Sequence, residues 1–471
     1  MTRQHLYESI DKLCETYKDD NKMLTRLDTY ITVLIPKYLK YEQHKYALQN
    51  EKKEQLILNQ NKFTKKFMRE NLYFYVSATE LYVCYDGQTF NLVKEDDINH
   101  KILLSISNDE QNVVQWKYKI KANIMKLIKN NSPFYVTPES YTIQNIINIL
   151  CPLIFKTKCE TKYFLTIIGD ILLKKNNSLV YIVPPSFKTF LLDISTIIYL
   201  YTGTYISNHF KYKYHDHPYE NIRLLKCQLI NYTFNIKQYI MDIVVVSCYH
   251  SIRHNDSDTF LETTCDQDIA SDILYIKNNT DDMIVKEFTD KYIEASSTCS
   301  ISWKNICFLW KTFLNEEELP NMMFYSVLKS KMIDLYKYDE TTDMFVGITS
   351  RYLPYVDVFL NFFETNFYES DTNLNFELSE ILLLFKENGN QVNINEKIIY
   401  NILCHYIDGI TIQNNRYLVG WSTQLWDKTT DIQQHINMGD DTYESYKLNK
   451  KSLNDRHVVS KQCFDEYINN L

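Results

Sequence analysis

The sequence predicts a mainly α chain with small β-hairpins, an α+β class, and two observations carry that prediction. Apolar residues recur at helical spacing through most of the 471 residues. Alternation of apolar and polar residues is confined to short runs, near residues 72–93 and 410–419.

Taken in order, residues 1–70 read as a helical N-terminal segment. Pro36 is expected to break it, and 37–70 is long and polar on most faces, so it reads as a bridging or solvated helix. Residues 71–130 form a small α+β unit. Tyr73, Tyr75, Leu81, Val83 and Tyr85 alternate, Asp86-Gly87 is a hairpin turn signal, and helical patterns follow at about 95–107 and 111–130. Residues 131–254 read as a basic helical domain, interrupted at Cys151-Pro152 and Pro184-Pro185. The 255–300 stretch reads as an acidic linker or insertion, 301–425 as one further domain and 426–471 as a C-terminal tail. No repeat of fixed period is visible.

Residues 376–421 give the clearest local pattern. Leu378, Ile381, Leu382 and Phe385 share one helix face, and Asn388-Gly389 stops that helix. Asn393 and Glu396 match a capping box for a second helix carrying Ile398, Ile399, Ile402, Leu403 and Tyr406. Asp408-Gly409 stops this one. Ile410 and Ile412 then alternate with Tyr417 and Val419 around Asn414-Asn415. Helix, turn, helix, hairpin is the tail half of a winged helix. Phe324, Val327, Leu328 and Met332 supply an upstream helix, and Phe345, Val346 and Ile348 a strand. The expected architecture is therefore helical N-terminal and middle domains plus a C-terminal winged-helix-like domain.

Composition narrows the function. No run approaches the ~20 apolar residues of a membrane helix, and Met-Thr-Arg-Gln-His leads into a charged amphipathic segment, so a soluble protein outside the secretory route is expected, with no membrane partner. Eleven cysteines lie singly, with no C-x-x-C pair, as in a reducing compartment. Tyr, Asn, Ile and Lys are abundant and Ala is scarce, as an AT-biased genome produces, so lysine abundance alone is discounted. The closest two of the eight glycines, Gly409 and Gly420, are eleven residues apart. That spacing forbids a Walker A loop, a G-x-G-x-x-G fingerprint and a G-x-S-x-G elbow. With no H-E-x-x-H and no EF-hand loop either, the chain reads as a non-enzyme without cofactor.

Net charge is −8, unevenly spread. Residues 117–226 carry fifteen Lys/Arg against six Asp/Glu, whereas 252–300 carry four against eleven and 301–471 fifteen against twenty-four. Lysines release phosphate counterions and interleaved aromatics stack on unpaired bases. The candidate nucleic-acid contacts are Lys117, Lys119, Lys121, Lys126, Lys129, Lys211, Lys213, Arg223 and Lys226, with Arg416 on the wing. RNA or DNA is the expected partner, single strands above duplex. A basic domain pairing with acidic segments of its own chain is the plainer alternative. The second helix of the winged-helix pattern offers Lys397, His405, Asn395 and Asn401 but also Glu396, a poor set for reading a major groove, so protein contact suits that domain at least as well.

His215, His217, Cys248, His250 and His254 are the densest set of metal-ligand types, and Asp256, Asp258, Asp266, Asp268 and Asp272 the densest acidic set. Solvated or capping side chains are the favoured reading of both, and no metal is assigned. Trp116, Trp303, Trp310, Trp421 and Trp426 read as core or interface anchors.

The stretch Ser140-Tyr-Thr-Ile-Gln-Asn-Ile, Pro152-Leu-Ile-Phe-Lys-Thr-Lys and Lys162-Tyr-Phe-Leu-Thr-Ile-Ile-Gly-Asp170, together with the residue bias, resembles uncharacterised proteins encoded by giant DNA viruses of the mimivirus kind. Tyr73-Phe-Tyr, Leu81-Tyr-Val-Cys-Tyr-Asp-Gly-Gln88 and Glu95-Asp-Asp-Ile98 are similar to the hairpin and helix preceding the motor of the poxvirus-type primase-helicase family, in which a winged helix follows the motor. These pieces cover about a quarter of the chain. No Walker A is present, so no helicase residue carries over and at most a motorless relative is implied. Together, residues and resemblance lead us to expect a non-catalytic nucleic-acid-binding accessory factor of a large DNA virus. It would act in viral replication or gene expression in the host cytoplasm (viral factory) and bind viral or host proteins through its C-terminal domain. The alternative is a protein–protein interaction scaffold in a viral transcription or translation-initiation complex.

Overall fold

A computed structural model describes residues 3–108, 113–175, 178–214, 217–227, 235–370, 375–389, 392–436, 442–453 and 455–469. The chain is mainly helical with small sheets, as its periodicity predicts. It divides into two compact units. Residues 1–178, 184–210 and 227–270 form the first, and 179–183, 211–226 and 271–471 form the second. The segments expected at 131–254 and 255–300 are thus each shared between units.

The first unit opens with α1 (Arg3–Thr16), α2 (Asn21–Thr29) and α3 (Ile35–Glu70), with a π-turn at Tyr30–Leu34. Pro36 does not break the helix as expected. It sits in the first turn of α3, directly after the π-turn, and a widened turn accommodates a ring that cannot donate to the preceding turn. Strands β1 (Leu72–Val76), β2 (Leu81–Tyr85) and β3 (Phe90–Val93) form the expected antiparallel meander. Its two faces serve two cores, as period-2 alternation dictates. Tyr73 and Tyr82 pack with Phe63 and Phe67 of α3, with Ile98, Ile102 and Ile106 of α4 (Glu95–Ser107), and with Ile120, Ile124 and Ile128 of α5 (Lys117–Lys129). Phe74, Val83 and Phe90 pack with Met241 and Val245.

Those last two belong to α9 (Ile240–His254), the central helix of a bundle with α6 (Ser140–Leu150), α7 (Lys158–Leu172), α8 (Lys188–Thr202) and α10 (Ser257–Thr264). Helix α7 is buried almost all round and begins with a Thr157/Glu160 capping box. It crosses α9 at Gly169, where a Cβ would stand 2.1 Å from the Ser247 carbonyl oxygen.

In the second unit, β4 (Val180–Ile182), β5 (Phe210–Lys211) and β6 (Ile222–Leu224) make a small sheet in which β4 and β6 run parallel. The acidic stretch is no bare linker. It folds into α10, α11 (Gln267–Ile273), α12 (Tyr275–Asn278) and α13 (Asp281–Tyr292), and Ile276, Ile284, Val285 and Phe288 enter the core. Its acids lie on the outer faces and in first turns, where the helix dipole favours them.

One order of elements then occurs twice. The first copy is α13, β7 (Glu294–Ser302), α14 (Trp303–Glu316), α15 (Tyr325–Leu335), β8 (Lys337–Asp339) and β9 (Met344–Thr349). The second is α16 (Leu353–Asn366), β11 (Phe376–Glu377), α17 (Leu378–Glu387), α18 (Glu396–Tyr406), β12 (Thr411–Gln413) and β13 (Tyr417–Val419), with β10 (Phe367–Glu369) before β11 and paired to β14 (Trp421–Thr423). In both copies the sheet is antiparallel and its last strand lies in the middle, in the orders β7-β9-β8 and β11-β13-β12. In both, the first strand runs straight into the second helix through a cap. Ser302 accepts from Asn305 N–H, and Glu377 forms a capping box with Glu380. The helix and strand assigned from sequence to the C-terminal domain, at 324–332 and 345–348, therefore belong to the first copy. The opening helix of the second is α16. The cap of α18 is Asn395, which accepts from Ile398 N–H at 2.9 Å, and not Asn393.

The described part of the C-terminal tail is helical and enters the core. Helices α19 (Lys428–Ile436), α20 (Tyr443–Ser452) and α21 (Lys461–Asn469) place Ile432, Tyr446, Val459 and Phe464 in the core of the second unit.

Candidate nucleic-acid interface

The five lysines of α5 do not share one face. Ile120, Ile124, Met125 and Ile128 turn inward, which leaves Lys119, Lys126 and Lys129 on the solvent side. Lys117 and Lys121 flank the core with half-buried stems. None of the five forms an ion pair with a described carboxylate. Three of them lie beside rings. Lys119 Nζ lies 5.3 Å from the Trp116 ring, Lys117 Nζ 5.0 Å from Tyr118 and Lys129 Nζ 5.8 Å from Tyr75. Tyr118 is 71% exposed, and Trp116 is also open to solvent. Hydrogen bonding to the Tyr82 hydroxyl, which itself donates to Glu95, pushes the Lys129 ammonium up, so this cation stays charged.

Sequence reasoning missed a second row. Lys62, Lys65, Lys66 and Arg69 are exposed on the part of α3 that packs against α5 through Phe63 and Phe67. The signal was present as basic residues three and four apart, out of phase with those two phenylalanines.

The candidates of the second unit divide differently. Arg223 is a correction. Its side chain is buried, and its guanidinium donates to the Glu220 carbonyl at 2.7 Å and the Ile222 carbonyl at 2.8 Å, so it braces its own turn. Lys226 pairs with Asp272 at 3.0 Å and Arg416 with Glu377 at 2.9 Å. Lys213 is exposed and Lys211 half-buried. The basic middle of the sequence is thus divided between the two units.

The third helix of the C-terminal copy, α18, is largely occupied. The His405 ring Nε2 lies 2.8 Å from the Lys304 carbonyl and Nδ1 3.2 Å from Lys311 Nζ, and Tyr406 OH donates to Asn305 at 2.8 Å. Phe308 packs on both rings. Asn395 is taken by its cap, and Asn401 lines a small cleft with Lys311 and Thr312 of α14. The corresponding α15 is open but apolar. Phe324, just before it, is 74% exposed, and Val327, Ile333 and Leu335 are also exposed, whereas Lys329 pairs with Asp343 and Lys331 with Asp282. A cleft of about 810 Å³ beside it is lined by Tyr214, His217, Tyr219, Asp281, Met323 and Phe324, with Tyr219 OH donating to Asp281.

The described metal-type residues belong to different units. His217 lies in the second unit, Cys248, His250 and His254 in the first, and His215 falls outside the described residues. Burial pushes the Cys248 thiol up to about 12 and the His250 imidazole down to about 3, the latter helped by His254 stacked at 6.0 Å. Among the described residues no group of three or more His, Cys, Asp or Glu could hold a metal. In the acidic set, Asp256 caps α10 and Asp272 pairs with Lys226. Trp310 is a core anchor, as expected. No helix among the described residues is long and apolar enough to cross a membrane. Compared with protein-family models, curated proteins and solved structures, the chain matches none.

Proposed function

We propose that the chain is a non-catalytic nucleic-acid-binding accessory factor of a large DNA virus, acting in viral replication or gene expression in the host cytoplasm. The solvent face of α5 is its contact with RNA or DNA, single strands above duplex. The observation that carries this reading is the set Lys119, Lys126 and Lys129, all solvent-facing and in no ion pair with a described carboxylate, with the exposed ring of Trp116 5.3 Å from Lys119. Cations without internal partners release counterions when they meet phosphate, and open rings offer base stacking. Binding of a labelled oligonucleotide across a salt series tests it. Affinity no better than that of albumin at low salt removes the reading.

The twice-occurring order of elements, with its last strand in the middle, supports reading the second unit as two tandem winged-helix modules. Their surfaces favour protein contact. α18 is covered by α14, and α15 with its N-cap residue Phe324 exposes Phe324, Val327 and Leu335 between compensated lysines. These observations also favour the second reading, an interaction scaffold in a viral transcription or translation-initiation complex. Charge reversal at Lys119, Lys126 and Lys129 separates the two. Loss of oligonucleotide with protein partners retained supports the first, and loss of protein partners supports the second.

A further inference from the structure

Helices α7 and α10 pack in antiparallel sense, and two contacts fix their register. Asp170, near the end of α7, accepts the Ser257 N–H at the start of α10 at 2.7 Å. Further along, Tyr163 stacks on Phe260 with ring centroids 6.4 Å apart. One turn before Tyr163, on the same face of α7, stands Cys159, and Cys265 closes α10. The register therefore brings together two cysteines that are remote in sequence, and their side chains hydrogen-bond directly. The Asp266 N–H also reaches the Cys159 sulfur. Both cysteines are half-buried, and the adjacent Lys158, Thr264 and Asp266 are exposed, so a small solute has access.

The two thiols are not equivalent. Cys159 is the second residue of α7, in the turn whose dipole and free N–H groups favour an anion. The hydrogen bond from Cys265 holds the Cys159 thiol below its ordinary range. The Asp266 N–H and the Lys162 ammonium pull the same way, against partial burial and the Asp266 carboxylate. The same hydrogen bond pushes the Cys265 thiol up, together with burial and the carboxylates of Asp266 and Glu160. One sulfur thus carries the thiolate while the other keeps its proton, which is the division between an attacking and a resolving cysteine. Cys248 and Cys307, by contrast, are pushed up by burial.

We propose that Cys159 and Cys265 are a peroxide-reactive pair that closes reversibly to a disulfide between α7 and the end of α10. The Cys159 thiolate attacks one peroxide oxygen. The O–O bond breaks, hydroxide leaves and takes up a proton as water, and Cys159 becomes a sulfenic acid. The Cys265 sulfur then attacks the Cys159 sulfur. The S–S bond forms, the S–O bond breaks, and a second hydroxide leaves as water with the Cys265 proton. Two thiols are oxidised by one electron each, and one peroxide is reduced to two waters. The bond closes a loop from 159 to 265 that encloses 179–183 and 211–226, the two stretches this part of the chain gives to the second unit. A cross-link closing a loop of about a hundred residues strongly restricts the unfolded chain.

Treating the reduced full chain with a few equivalents of hydrogen peroxide tests the proposal. Two of the eleven free thiols should be lost and recovered with dithiothreitol, and a peptide map should show Cys159 joined to Cys265. The oxidised chain should melt about 5–10 °C above the reduced one. Cys265→Ser removes the resolving thiol, so dimedone should trap a sulfenic acid at Cys159 that the parent does not retain. A measurement on the parent needs no variant to fold: iodoacetamide should alkylate Cys159 about tenfold or more faster than Cys307. A map joining other cysteines, a folded Cys265→Ser chain without an adduct at Cys159, an oxidised chain that melts no higher, or equal alkylation rates would each overturn the proposal.

Discussion

The Asp242 carboxylate accepts the backbone N–H of Phe90 at 2.7 Å, tying the first turn of α9 to the last strand of the meander across 152 residues of sequence. Its second oxygen is buried without a partner, and burial pushes the acid up to about 7. Two turns further along the same helix, His250 is buried with neither ring nitrogen bonded, and its pKa falls to about 3. These shifts act on stability in opposite senses. The folded state holds the Asp242 proton that the unfolded chain releases near 4, so stability falls as pH rises from about 4 to about 7. The unfolded chain protonates His250 near 6.5 and the folded state resists until about 3, so stability rises over most of the same window. The two slopes largely cancel between about 4 and 6.5, and single substitutions should unmask them. Urea unfolding of Asp242→Asn should show stability rising by a few kcal/mol from pH 4 to 6.5. His250→Phe should show a fall of similar size from pH 4 to 7. Parallel, flat profiles for both variants would contradict these pKa assignments.

Gly169 supports a sharper structural prediction. It lies in the middle of a helix, where glycine ordinarily costs about 1 kcal/mol relative to alanine. Here a Cβ would meet the Ser247 carbonyl oxygen at 2.1 Å and the Ser251 Cβ at 2.7 Å, so the backbones of α7 and α9 would have to separate. The neighbouring Asp170 fixes that crossing, accepting from Ser251 Oγ at 2.6 Å and Ser257 N at 2.7 Å. Gly169→Ala should therefore destabilise the first unit by about 3 kcal/mol or more despite its better helix propensity. Thermal unfolding reads this directly, and a raised melting temperature would show that the helices can move apart.

Much of the architecture is written in local chemistry, and much of the rest is not. The meander announces itself through Tyr73, Tyr75, Val83 and Asp86-Gly87, and the second hairpin through Asn414-Asn415, both of which adopt positive φ. The recurrence of one helix–strand order was invisible because its two copies share topology and not residues. Their first strands run for nine residues and two, and their caps are Ser302 and Glu377. Which cations are free was equally hidden. Arg223 and Lys126 look alike in sequence, and only the fold turns one onto carbonyls of its own turn and the other to solvent. The acidic stretch read as a linker or insertion because its helices are short and its apolar residues widely spaced, and Ile276, Ile284 and Phe288 enter the core.

The C-terminal helices should prove indispensable to the second unit. Lys428 Nζ lies 2.5 Å from Glu380 Oε2, both side chains being buried, and also donates to the Asn375 carbonyl at 2.8 Å. Glu380 further accepts from the Glu377 and Ser460 N–H groups, so one carboxylate joins α17, α19 and the approach to α21. Removing one partner leaves an uncompensated buried charge, and Lys428→Met should cost about 3–5 kcal/mol. Lys428→Met/Glu380→Met removes both charges and should recover most of that loss. Chemical unfolding of the single and double variants measures the coupling. A double variant no more stable than the single would mean that the carboxylate's backbone partners, and not the lysine, carry the linkage.

The α5 surface yields a quantitative expectation for oligonucleotide binding. If Lys117, Lys119, Lys121, Lys126 and Lys129 each neutralise a phosphate of a single strand, affinity should fall roughly a hundredfold between 50 and 200 mM salt. With only the three solvent-facing lysines engaged, the fall should be about twentyfold. Lys119→Glu/Lys126→Glu/Lys129→Glu should flatten the slope by about three phosphates, and Lys65→Glu/Arg69→Glu should flatten it further if the α3 row extends the same track. Tyr118→Ala leaves the charge untouched, and losing the ring should weaken binding by about 1–3 kcal/mol at every salt concentration if it stacks on a base. A steep salt slope with no effect of Tyr118→Ala would point to backbone tracking by charge alone. A slope unchanged by the triple reversal would move the contact off α5 altogether.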